Sequence, residues 1–300
     1  MVTTGMSDAA NKKLLEATVY KKLQELGWTI GQNLIIEYRS TEGHYERFPH
    51  LFQELVRLKV DVLFTGGGVF PLDAARKSTT TIAIVMAGGY SDPVGAGVIT
   101  CLARPGGNVT GTAFTSSELP GKRLQFLKQL FPALARVGLL TEPGAALQGS
   151  QFALLSTAAR LLNLDEITRF YARQPDEFDA AVQGAKAAGI EALLVSGTTL
   201  FSGQYLDRVV QAVNQHKLAS MGYWNYMADG GLLMGYSASI LDLYTGAAVY
   251  IDKIFRGAHP SDLPVEEPSR YYLSINLKTA KLIGTTIPQA LLLRADNVIE

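Results

Sequence analysis

Three hundred residues, 47% of them apolar and 9% aromatic, exceed what one hydrophobic core organises, because cores stop growing at roughly 250 to 300 residues. The 27 basic and 27 acidic side chains cancel, so no positive field gathers nucleic acid or anionic lipid, and no run of about 18 apolar residues is present to span a bilayer. Two lobes, a monomer and a small-molecule partner are the expectation.

The N-terminus MVTTGMSDAANKK lacks the basic and apolar segments of a secretory signal. Two readings stay open on that ground: a cytosolic protein, or the mature or truncated form of an exported one. Val2, Thr3 and Thr4 leave little room for an opening strand, which reads as cut short. A first helix is predicted over residues 9–26, with Ser7 or Asp8 to cap it and Gly27 to stop it. Strand 34–38, helix 48–58, strand 60–65, helix 71–78 and strand 82–86 follow. Their near-continuous apolar strands suit a parallel sheet buried on both faces. After RPGGNVTGTAF the alternation restarts with helix 119–131, strand 137–140, helix 145–162 and strand 167–171. It continues through helix 175–188, strand 192–195, helix 203–216 and strand 219–221. Strand 232–236, helix 240–255, strand 272–275 and helix 277–283 are too few for a third domain and must complete the first two. The pattern predicts two doubly wound α/β units in tandem.

In open α/β sheets ligands sit beyond the carboxyl ends of the strands, so the loops there carry the information. The first half offers TGGGVFP, with Gly67, Gly68, Val69 and Phe70, and AGGYSDPVGAG, with Gly88, Gly89, Tyr90 and Asp92. Each runs from a strand into a glycine pair and then a proline at an expected helix start, near residues 69–72 and 91–94. Free N–H groups at a helix start favour an anionic group by about 0.3 to 1 kcal/mol, and a carboxylate is the natural guest. The glycines fit tight turns as well. A Walker loop is excluded, because no lysine follows Gly66 to Gly68 at the required spacing, and Pro71 stands where a dinucleotide fingerprint needs glycine or alanine.

The second half offers LLTEPGAAL, VSGTTLFSG and MGYWNYMADGG at its strand ends. Tyr223 and Trp224, with Phe70 and Tyr236 elsewhere, are suited to clamp a flat or apolar ligand. Asp8, Asp92, Thr115, Glu142, Thr198 and Thr199 are hydrogen-bonding candidates at strand ends and have no evident base partner; Asp92 also suits a cap. The four histidines are scattered without metal-ligand spacing, so neither a metal nor a cofactor is expected. Cys101 has no second cysteine for a disulfide or an acid–base pair and reads as a small buried hydrophobe. No Gly-x-Ser-x-Gly elbow exists to anchor serine-hydrolase chemistry, and the expectation is a protein that is not an enzyme.

Longer stretches carry a resemblance: GWTIGQNLIIEYRSTEGHYERFPHLFQELVRLKVDVLFTGGG, SDPVGAGVITCLARPGGNVTG, LPGKRLQFLKQLFP and ADGGLLMGYSASILDLYTGAAVYIDKIFRGAHP. Over about residues 7–300 the chain resembles the substrate-binding proteins of bacterial ABC uptake transporters that include tryptophan and tyrosine binders. The resemblance implies a type I periplasmic-binding fold: two doubly wound parallel-sheet lobes joined by three crossovers, with a ligand cleft between them. It divides the chain into an N-terminal lobe of residues 1–115 plus 232–260 and a C-terminal lobe of residues 116–231 plus 265–300. It also implies a periplasmic protein that delivers its ligand to an ABC transporter permease after hinge closure. In amino-acid-binding relatives the first-lobe loops hold the carboxylate and an acidic residue of the second lobe meets the amine. Here SGTTLF places Thr198 where relatives carry that acid. A carboxylate-bearing ligand with an aromatic or apolar body and no essential ammonium suits Phe70, Thr198, Phe201, Tyr223 and Trp224 at least as well as an amino acid. Two other classes stay open: a ligand-sensing domain, which needs a fused output element, and a tandem α/β enzyme, which needs a titratable pair within hydrogen-bond reach.

Overall fold

The computed structural model describes residues 2–3, 8–42, 44–66, 68–90, 92–114, 118–144, 150–198 and 200–300. The chain divides into two compact units, one of residues 1–115 and 239–269, the other of residues 116–238 and 270–300, so it passes between them three times. In chain order the first unit supplies β1 (Val2–Thr3), then α1 (Asp8–Leu15), which runs through a π-helical turn at Glu16–Tyr20 into α2 (Lys21–Glu25). It continues with β2 (Arg39–Ser40), α3 (Phe48–Arg57), β3 (Val62–Gly66), α4 (Val69–Ser78), β4 (Ala83–Ala87) and β5 (Val109–Thr112). The second unit follows with α5 (Leu119–Leu130), β6 (Val137–Thr141), α6 (Ser150–Leu161), β7 (Thr168–Tyr171), α7 (Phe178–Ala187), β8 (Ala192–Val195), α8 (Leu206–Gln215), β9 (Ala219–Gly222) and β10 (Met234–Ser237). Helix α9 (Ile240–Phe255) returns to the first unit, and β11 (Tyr272–Asn276), α10 (Leu277–Ile283), α11 (Gln289–Leu292) and β12 (Asn297–Ile299) complete the second.

The first sheet has the order β2-β1-β3-β4-β5 and is parallel throughout. Leu63, Ile84 and Met86 pack on Phe48, Phe52 and Leu72 of α3 and α4. Across the sheet, Tyr244 of α9 meets Phe64 edge-on at 5.4 Å. The second sheet, β12-β11-β10-β9-β8-β6-β7, is parallel except where β11 runs against β10. Period-two alternation sends Val137 and Leu139 to the face covered by Leu124 and Leu127 of α5, and Leu140 to the face covered by Phe178 and Val182 of α7. Helix α10 is framed at both ends: Asn276 Oδ1 accepts the Thr279 N–H at 3.0 Å, and Gly284 closes it at φ 74°.

Several expectations are corrected. Residues 34–38 are not a strand. Leu34 ends a compact turn in which its N–H donates to Thr29 O and Gly31 N–H donates to its carbonyl, and Ile35 is 83% exposed. Pairing begins only at Arg39, opposite Val2. The segment read as a boundary, NVTGT, forms β5, and its polar residues are compatible with burial because each has a specific partner. Thr110 Oγ1 donates to Leu263 O at 2.8 Å, Thr112 Oγ1 to Leu243 O at 3.1 Å, and a Cβ on Gly111 would lie 2.3 Å from Met86 O. The strand near residue 232, assigned above to the first unit, is β10, which pairs with β9 and β11 in the second. The crossover expected near residues 230–232 therefore falls between 238 and 239. Helix α11 and strand β12 were not anticipated. Cys101 is exposed, not buried, and its Sγ accepts the Arg104 N–H at 3.3 Å. Among the described residues no helix is long and apolar enough to cross a membrane.

Candidate functional site

In the first unit the loops after β3 and β4 are organised by glycine. Gly68 stands before α4 at φ 113°, a value a side chain disfavours, and as a glycine it offers the helix start no side-chain cap of its own. Val69 is half-buried and Phe70, one residue on, is 62% exposed. Gly88 and Gly89 turn the chain at φ 87° and 105°, and a Cβ on Gly89 would lie 2.9 Å from Leu72 Cδ2, so the end of β4 closes tightly on α4. The Tyr90 hydroxyl donates to Asp73 Oδ2 at 2.8 Å; burial first, then this bond, push its pKa up to about 12. The helix expected to start near residues 91–94 is absent. Residues 93–97 form a turn, and Asp92 Oδ1 accepts the Gly95 N–H at 2.7 Å, which commits that carboxylate to its own loop. Ser7, Gly67, Thr115 and Thr199 lie outside the described residues, and of Asp8 only the backbone is described, opening α1.

In the second unit the strand ends form a row. The last paired residues Leu140, Val195, Gly222 and Gly235 lie side by side across β6, β8, β9 and β10. One step further along stand Thr141, Ser196, Tyr223 and Tyr236. The loop after β9 folds back over the sheet, which requires empty space beneath it. A Cβ on Gly235 would lie 2.4 Å from Trp224 O, and one on Gly197 would lie 2.4 Å from the Tyr223 ring. The Trp224 indole N–H donates to Gly197 O at 2.8 Å, which fixes the ring. Tyr223 meets that ring edge-on at 5.2 Å and Tyr226 lies parallel to it at 6.3 Å. Burial pushes the Tyr226 phenol up to about 12, with the Ser202 hydroxyl acting in the opposite direction. Tyr236 packs on Phe126 at 5.0 Å and on Tyr271 at 6.1 Å.

Beside this aromatic group, Glu142 and Thr198 come together from the ends of β6 and β8. Burial pushes the Glu142 carboxyl up, and the neighbouring Thr198 hydroxyl opposes the rise. The approach is not a hydrogen bond of good geometry. Thr198 Oγ1 and Thr141 Oγ1 are buried without a partner among the described residues. Buried hydroxyls of this kind are uncommon, and two at adjacent strand ends are what a ligand-facing surface supplies. Phe201, expected in the site, is a core residue: it is fully buried and its ring lies 5.2 Å from Phe178.

Three residues of this surface were not anticipated: Thr141, Ser196 and Arg123. Arg123 lies in the first turns of α5 and is 5% exposed, with Nη2 donating to Tyr223 O at 2.8 Å and Nε to Tyr236 O at 3.0 Å. Its guanidinium also covers the Tyr223 ring at 4.2 Å. The signal available in the sequence was only GKRLQ, which reads as a solvated helix face. A hollow of about 330 Å³ lined by Leu130, Phe131, Pro132, Ala133, Leu134 and Glu191 lies at the other end of α5, where the strands begin. Its one acid, Glu191, accepts the Ala135 and Arg136 N–H groups, so it belongs to the scaffold. Among the described residues no three of His, Cys, Asp and Glu gather as metal ligands.

The profile of the ABC transporter substrate binding protein family matches residues 6–299. The chain is similar to the tyrosine-binding protein of Clostridioides difficile (strain R20291), with 23% identity over 279 residues, 93% of this chain and 77% of that protein. Among solved structures it is similar to a conserved domain protein from Vibrio cholerae O1 biovar eltor, with TM-score 0.88, 24% identity and 99% and 98% of the two chains covered. It is equally similar in fold to the ABC domain from Streptococcus pneumoniae in complex with L-Trp, with TM-score 0.88, 22% identity and the same 99% and 98% coverage. These likenesses, with two α/β units between which the chain passes three times, identify the type I periplasmic-binding fold.

Proposed function

This chain belongs to the ABC transporter substrate-binding protein family, and from that premise we propose that it is the solute-binding component of an uptake system for a small carboxylate-bearing molecule with an aromatic body. The observation that carries the reading is the second unit's strand-end surface. There the hydroxyls of Thr141 and Thr198, buried and without a partner among the described residues, stand at the ends of β6 and β8, and an indole fixed by its own N–H follows β9. The glycine-led start of α4 in the first unit supports it, because N–H groups at a helix start favour a carboxylate. The name of the tyrosine-binding relative and the L-Trp complex of the structural neighbour support an aromatic guest. No bond is made or broken in this function; hinge closure on the ligand and presentation to a permease in the periplasm are its remaining parts.

A thermal-shift screen of amino acids, aromatic acids and short-chain acids tests the reading. A true ligand stabilises by about 2.7 kcal/mol at a hundredfold excess over its dissociation constant. An aromatic acid or amino acid that raises Tm in this saturable way is the expected result. A screen in which none does so, or in which only short-chain acids do, contradicts the aromatic reading.

A further inference from the structure

Burying a guanidinium is costly unless a carboxylate accompanies it, and such a cation is seldom held at a strand end without one. Arg123 is held there, and its partners are two backbone carbonyls and one aromatic ring. Among the described residues no carboxylate lies within ion-pair distance of it, and burial, opposed by Tyr223 and Tyr236, moves its pKa down to about 10. It therefore stays charged at neutral pH, with no carboxylate among the described residues to compensate it. Carbonyl dipoles satisfy donors and leave the net charge in place. The carbonyls it grips, those of Tyr223 and Tyr236, belong to the same row of strand ends as Thr141 and Ser196. The acid on this surface, Glu142, approaches Thr198 and makes no ion pair with Arg123, and burial favours its neutral form.

We infer that Arg123 is a specificity-determining residue that makes the second unit's strand-end surface select for an anionic ligand and against an ammonium. The inference rests on the solute-binding reading above and narrows its substrate class to aromatic carboxylates without a free amine. Arg123 acts through its field and through the loop after β9 and the end of β10 that it holds, so it need not touch the ligand.

Three probes that share a phenol ring test it: 4-hydroxyphenylpropionate, its amide, and the amine 4-hydroxyphenethylamine. Calorimetric titration of wild type is expected to rank acid over amide by roughly tenfold or more, equivalent to about 1.4 kcal/mol, with the amine weakest. Arg123→Met should reduce the acid-to-amide ratio by about tenfold, while Arg123→Lys, which keeps the charge, retains the preference. A structural role alone predicts equal losses for acid and amide in Arg123→Met, and that result overturns the inference while leaving solute binding intact. If Arg123→Met does not fold, the wild-type ranking decides: amide or amine binding as tightly as the acid overturns it, and a ranking led by the acid supports it. Wild-type protein that binds none of the three overturns the inference and the aromatic-carboxylate reading together.

Discussion

At the ends of β3 and β4 the first unit presents backbone. Gly68, Gly88 and Gly89 adopt φ values of 113°, 87° and 105°, and the polar side chains nearby are bound locally, Tyr90 to Asp73 and Asp92 to Gly95. At the ends of β6, β8 and β9 the second unit presents side chains, Glu142, Thr198 and Trp224 among them, and the loop that carries Trp224 stands over glycines whose role is clearance, such as Gly235 beneath the Trp224 carbonyl. One unit uses glycine for conformation and the other uses it for space. The lesson is that a backbone cradle tolerates side-chain changes that leave its dihedrals alone, whereas a side-chain surface depends on what its floor leaves empty.

The largest effect expected separates core from site within the second unit. Phe201→Ala should cost about 3 to 5 kcal/mol in denaturant unfolding, as truncation of a fully buried phenylalanine does, with ligand affinity per folded molecule unchanged. An affinity loss in that variant would return Phe201 to the site. Next is the pair of glycines. Gly235→Ala should cost about 2 to 3 kcal/mol, because the new Cβ meets backbone at 2.4 Å. Gly68→Ala should cost the smaller amount, about 1 to 3 kcal/mol of dihedral strain alone, because nothing lies within 4 Å of its Cβ while its φ 113° and ψ −159° suit only glycine. Equal costs at the two positions would erase the contrast between conformation and clearance.

Trp224→Ala should weaken an aromatic ligand by about 1 kcal/mol or more, read by titration calorimetry, with little effect on a small aliphatic acid. Unchanged aromatic affinity would remove the stacking wall and leave the fold as it is. The smallest effect concerns pH. Burial raises the Glu142 pKa in the folded state, so the stability tied to its proton is present below the ordinary glutamate value and is lost as pH rises through the raised one. Glu142→Gln should therefore match wild type in acid and be slightly the more stable at neutral pH, in unfolding curves recorded across that range. A variant less stable at neutral pH would mean that the ionised carboxylate has a partner in the folded protein.

How much was legible follows from what each residue needs. Helix α9 and helix α10 were read with their observed limits, because Ser239 and Asn276 cap them, with Ser239 Oγ accepting the Asp242 N–H at 3.3 Å, and the apolar spacing between the ends is regular. The loops after β3, β4 and β9 were found because glycine clusters behind apolar strands mark strand ends. NVTGT escaped because its burial depends on hydroxyl acceptors 131 and 153 residues away in sequence, which no local pattern announces. Arg123 escaped for the same reason: its partners Tyr223 and Tyr236 are 100 and 113 residues further on.

The sequence by itself determined the class of the molecule. Alternating helix and strand periods with short punctuation admit a doubly wound architecture. Tertiary structure alone decided which strand ends stand beside one another, which aromatic ring is core and which lies at the strand ends, and where a cation is buried with no carboxylate beside it among the described residues. Periodicity is a property of neighbours along the chain, whereas desolvation, clearance and field depend on neighbours in space, and those are fixed only when the sheets close.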